Sequence, residues 1–227
     1  TLTLQNTYSE LVFQGTQTLH AGSIVLDGNT NTNVFFSGTG SIVTLAAGTE
    51  IIGGTGDLEF QNNATLINEG LISAEASGET LRVGGSYLSG SLENHGDIEA
   101  IGGGILDVRV NAFTLFADGT VSVSGTSTLR LGATNSVWLN EDAMTASGAG
   151  TQLVFGGTWS NTGSITVSDA DVTFGGNFTA SDIAIGSRFV DTDIANGDVR
   201  VTGNLDLESG EFTLDAATGT WGLENGG

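Results

Sequence analysis

An all-β fold, a right-handed parallel β-helix (β-solenoid) of about nine coils of 23–24 residues, is predicted for this 227-residue chain by three observations. The first is a nine-residue phrase, repeated five times between Leu66 and Val167, in which every second residue belongs to a fixed column. The second is an apolar-x-apolar dyad that recurs from Leu11/Phe13 to Val199/Val201, eight steps over 188 residues with a mean of 23.5. The third is composition, with no proline, no cysteine and 36 glycines. Strict alternation within a short segment argues strand, and return at a fixed distance argues stacked repeats. A helical solenoid would need Ala, Leu, Glu and Lys at a spacing of 3.6, whereas here Gly, Ser, Thr, Val and Ile recur at a spacing of two.

The phrase reads as strand, turn, strand. Its copies are Leu66, Asn68, Gly70, Ile72, Ala74; Leu92, Asn94, Gly96, Ile98, Ala100; Leu115, Ala117, Gly119, Val121, Val123; Trp138, Asn140, Asp142, Met144, Ala146; and Trp159, Asn161, Gly163, Ile165, Val167. Stacking them predicts two core columns, Leu66/Leu92/Leu115/Trp138/Trp159 and Ile72/Ile98/Val121/Met144/Ile165. The column Asn68, Asn94, Asn140, Asn161 falls at the turn, interrupted by Ala117. Inward asparagines there would bond amide to amide between coils, while the alternative is that asparagine merely tolerates left-handed turn geometry.

The dyads supply a third strand per coil, as Leu11/Phe13, Val34/Phe36, Leu58/Phe60, Leu81/Val83, Leu106/Val108, Leu129/Leu131, Leu153/Phe155, Val172/Phe174 and Val199/Val201. The residue inside each dyad faces outward. In the middle coils this position holds Glu59, Arg82, Asp107 and Arg130, an expected ladder of alternating sign whose role is structural. Parallel strands about 4.8 Å apart would make nine coils a rod on the order of 40 Å long. Right-handed winding follows from the general crossover rule.

Composition fits this reading. Ordinary usage of roughly 5% would give about eleven prolines, and a chain whose strands are mostly paired on both sides tolerates few. Without cysteine there is neither a disulfide framework nor a thiolate metal site. No apolar run is long enough for a membrane span, and the start at Thr1 is expected to reflect a processed segment. One solenoid domain is expected over 1–227, with the best-defined coils at 10–205. Both ends keep strand-like pattern ("TLTLQ", "EFTLDAATGTWGL") and no evident cap, so they are expected to continue into further chain or onto another copy.

Charge excludes several partners. The chain has 26 acidic residues against five arginines and no lysine, a formal net charge of −21. Nucleic acid is therefore not expected, and neither is membrane insertion or an anionic membrane surface. Acidity serves solubility, or outside a cell it bridges divalent cations. No cofactor is expected beyond calcium, for which Asp191, Asp193 and Asp198 resemble the start of a calcium loop with one residue too many.

Enzymatic constellations are lacking. The acidic pairs Asp169/Asp171, Asp191/Asp193 and Glu141/Asp142 are what an acid-rich surface offers by chance, and a lyase acting on acidic sugars would want lysine or free arginine. His20 and His95 lie in turns with no second ligand beside them. No catalytic residue is assigned, and the chain is read as not an enzyme.

The segments "LINEGLISAEASGETLRV" and "WSNTGSITVSDADVTFGGNFT", with the phrase and the Gly-Gly turns, resemble bacterial secreted β-helix proteins. The nearest classes are filamentous-haemagglutinin-like adhesins and autotransporter passenger domains, and the likeness covers most of 10–205. It implies an extracellular or cell-surface structural module of an adhesin or a biofilm matrix fibre. Its expected partners are itself, assembled head to tail or laterally into filaments, further domains of a longer surface protein, or extracellular polysaccharide. The alternatives are a carbohydrate-binding adhesin domain, for which Trp138 and Trp159 would have to be exposed on one face, and a polysaccharide lyase or hydrolase.

Overall fold

In the computed structural model, residues 1–5, 8–28, 32–85, 89–208, 211–213 and 221–224 are described. Of the tail segment expected to keep strand pattern, 214–220 thus lie outside the described residues. The chain winds through three all-parallel sheets of nine, ten and nine strands, forming a β-solenoid of about nine turns. Strands three apart in sequence are neighbours in a sheet, except that Trp221–Leu223 joins the second sheet two strands after its neighbour Val199–Val201. The only helix among the described residues is a 3-10 turn at Ala180–Ile183, and no helix is long and apolar enough to cross a membrane.

Each coil visits the sheets in a fixed order. The first sheet holds strands such as Leu71–Ala74 and Asp97–Ala100, the second Thr80–Val83 and Ile105–Val108, and the third Thr65–Asn68 and Ser91–Asn94. Alternation places the columns inside. Ile72, Ile98, Val121, Met144 and Ile165 are register partners in turn and nearly fully buried, as predicted. From Leu81 to Val201 the second-sheet dyads likewise stack in step. Burying each such side chain contributes about 1.5–3 kcal/mol against leaving it in water.

Two expected alignments are corrected, both by two residues. In the third phrase Leu92 pairs with Phe113 and Phe113 with Trp138, so Phe113 fills the core column assigned to Leu115. Leu115 lies instead between Asn94 and Asn140, and it is Leu115, not Ala117, that interrupts the asparagine column. In the second sheet Val83 pairs with Leu58 and Arg82 with Asp57, so Glu59 is not the neighbour of Arg82; its own register partner is Phe35.

Every corner that follows an asparagine of the column is short. Where the column is Asn68, Asn94, Asn140 or Asn161, the next strand starts at Leu71, Asp97, Ala143 or Ser164; at Leu45 and Leu115 the next strand waits until Thr49 or Thr120, while at Leu19 it starts at Gly22. The asparagine side chain closes the short corner itself. The Gly70 amide donates to Asn68 Oδ1, and the Asp142 amide to Asn140 Oδ1, each at 3.2 Å. Leucine has no acceptor, so the longer corners close through backbone bonds, Thr49 to Ala46 and Gly119 to Phe116, at 2.9 Å.

The core changes character along the axis. Aliphatic side chains dominate the middle, while Trp138, Phe155, Trp159, Phe174, Phe178 and Phe189 form a continuous aromatic stack towards the C-terminal side, with centroid spacings of 4.5–6.0 Å. Trp221 and Phe212 extend that stack. The opposite end is more open. The strands Leu2–Gln5, Glu10–Gln14 and Gln17–Leu19 each have a neighbour on one side only. They rim a hollow of about 480 Å³ lined by Leu2, Leu11, Phe13, Leu19 and Ile24 among others.

Candidate functional site

The interior polar column forms two closed pairs. Asn68 Nδ2 donates to Asn94 Oδ1 and Asn140 Nδ2 to Asn161 Oδ1, both at 2.7 Å, and all four residues are fully buried. Their remaining amide hydrogens reach corner carbonyls, from Asn68 to Asp97 and from Asn94 to Gly96 and Thr120. Asn161 ends the column on the 3-10 turn. Its side chain donates to the Asp182 carbonyl, and its backbone amide donates to the buried Asp182 carboxylate, both at 2.8 Å. None of these groups retains an accessible reactive atom, so the ladder is a structural element.

The calcium candidates are not brought together. Asp191 accepts from the amide of Asp193, both carboxylate oxygens of Asp193 hold the Asn196 side chain, and Asp198 pairs with Arg200 at 2.8 Å. Among the described residues no group of three or more His, Cys, Asp or Glu side chains is arranged to hold a metal ion. Trp138 and Trp159 are 2% and 3% exposed and stack on one another inside the coils, so they offer no face to a sugar. Their indole nitrogens donate to the carbonyls of Gly156 and Gly175 at 2.9 Å, fastening two Gly-Gly corners from within.

The outward charge row is real but differently composed. Arg82 Nη1 lies 2.8 Å from Asp57 Oδ1, with Nε 4.0 Å from Asp107 Oδ2. Asp107 is only 4% exposed, because Arg109 covers it with an Nη2 contact of 2.6 Å. Burial pushes the Asp57 carboxyl above its ordinary 3.8; attraction and hydrogen bonding from Arg82, with a smaller pull from Arg109, offset this only in part.

Beside this row runs an outer groove of about 540 Å³ that residue patterns alone did not reveal. It lies where the second sheet turns into the third. One coil makes that corner with residues 132–136, while the next two make it with 156–157 and 175–176. The longer corner therefore overhangs the shorter ones. Thr134 and Asn135 belong to the overhang; Gly156, Gly157 and Gly176 line the groove from the Gly-Gly corners, and Arg109 and Arg130 come from the second sheet. The signal in the sequence was the step from Leu153 to Val172, the shortest in the dyad series.

The five arginines are not equivalent. Arg82 and Arg109 hold the carboxylates just described, Arg200 holds Asp198, and Arg188 donates to the Asn161 carbonyl. Arg130 alone has no hydrogen bond or ion pair among the described residues. It stands opposite Asp107 in register, but that carboxylate is turned to Arg109, and its neighbour on the other side is the uncharged Val154.

Comparison with known proteins finds no family, no curated protein and no solved structure that matches the chain.

Proposed function

We propose that this chain is a non-catalytic structural β-solenoid module of a bacterial surface adhesin or extracellular matrix fibre, and that it lengthens by receiving the terminal coil of another copy. The observation that carries the reading is the first coil. Three parallel strands there are paired on one side only, around an apolar hollow that includes Leu11 and Phe13, a surface on which one more coil, of further chain or of another copy, would seat. Such a contact is heterologous, and repeated it gives an open filament. The acidic exterior supports the same reading, since a net charge of −21 opposes side-by-side clumping of β-rich rods.

Light scattering and electron microscopy of the purified chain test it. Concentration-dependent rods of constant width are expected, and Leu11→Arg with Phe13→Arg should keep the chain monomeric. A monodisperse monomer at every concentration would sink the proposal.

A further inference from the structure

The groove at the 132–136 overhang has a composition that the scaffold role does not explain. In a chain without lysine, two of the five arginines line one hollow, and one of them has no partner among the described residues. Guanidinium groups are strong donors whose planar fork matches a carboxylate, so an unpaired one facing a cleft is a recognition element in search of an anion. The one acid in the lining does not fill that role. Asp107 is held 2.6 Å from Arg109 and leaves Arg130 unneutralised.

The walls narrow the choice of ligand. Thr134, Asn135, Thr158 and Asn177 offer hydroxyl and amide groups, and the Gly-Gly corners bring bare backbone to the surface. Those corners must be glycine. A Cβ on Gly157 would lie 2.6 Å from the Ser136 carbonyl oxygen and one on Gly176 would lie 2.0 Å from that of Gly157. The aromatic rings beneath are buried, Phe155 at 2% exposure, so the groove presents no large apolar anchor of the sort that a docked peptide uses. One unpaired cation does not make a nucleic-acid or polyphosphate surface. Many hydroxyl-complementary groups around a single guanidinium fit a polyhydroxylated, sparsely charged chain, and the volume falls in the range of about 300–1,000 Å³ usual for small-ligand clefts.

We propose that this groove binds a carboxylated saccharide, with the uronate carboxyl on Arg130, Arg109 contributing to the positive end, and sugar hydroxyls meeting Thr134, Asn135, Thr158 and Asn177. The site would tether the rod to an acidic polysaccharide. It does not depend on end-to-end growth, because groove and open hollow share no residue.

The test uses the full chain with a neutral oligosaccharide bearing a single galacturonate, its methyl ester and sodium sulfate as probes, read by calorimetry and by amide shifts. Binding of the free acid is expected, weakened by salt, with shifts centred on Gly156, Gly157 and Gly176. Arg130→Gln should weaken it about tenfold or more and Arg130→Lys less, with the urea midpoint of both unchanged. Three results would each overturn the proposal: no binding of the acid, equal binding of the methyl ester, or displacement of the acid by equimolar sulfate. Affinity indifferent to both Arg130 substitutions would place the ligand elsewhere and also reject it.

Discussion

At the scale of single residues, the asparagine column shows how one side chain closes a short corner and ties neighbouring coils together. Asn94 accepts from Asn68 and donates to two carbonyls. Asn94→Ala should lower stability by about 1–3 kcal/mol, measured by urea denaturation, because the Asn68 amide loses its acceptor inside the core. Asp57 makes a different prediction, concerning pH. Its folded-state carboxyl lies above 3.8, so the folded chain holds that proton more tightly than the unfolded one. The resulting contribution to stability is complete below pH 3.8 and is lost as pH rises through the folded value. A carboxyl titration by NMR should place the midpoint of Asp57 above 3.8, and Asp57→Asn should remove this component from the stability profile.

At the scale of strands and corners, Gly176 carries a sharper constraint. Its φ of +74° and the backbone oxygen 2.0 Å from where a Cβ would stand predict that Gly176→Ala costs more than about 1 kcal/mol, read as a lowered urea midpoint. The same scale explains what the sequence concealed. Inward faces were legible because side chains alternate with a period of two, and a one-residue error would turn the core outward. A two-residue slip preserves parity. Leu115 therefore passed for a core-column residue when Phe113 held that place, and Glu59 passed for the neighbour of Arg82 when Asp57 held it. Apolar pattern cannot distinguish such registers; corner length and side-chain bonds can. The groove was hidden for a related reason, since it arises from the difference between the 132–136 corner and the two shorter ones rather than from any motif.

For the whole molecule, the solenoid's architecture predicts how stability is distributed. Strands of the middle coils are paired on both sides, whereas those of the first coil, 2–5, 10–14 and 17–19, are paired on one. Nearest-neighbour coupling makes the ends open first. Amide hydrogen exchange should be slowest between Leu81 and Phe155 and markedly faster in the first coil. Uniform protection along the chain would contradict this.

The all-parallel pairing also has a mechanical consequence. Hydrogen bonds between coils run along the rod, so tension applied at its two ends loads them one row at a time instead of shearing many together. Each coil that peels away frees about 80 Å of extended chain. Stretching a single molecule should therefore give a sawtooth of low, evenly spaced force peaks, which would let an anchored rod lengthen under flow and yield gradually before its attachment is torn away.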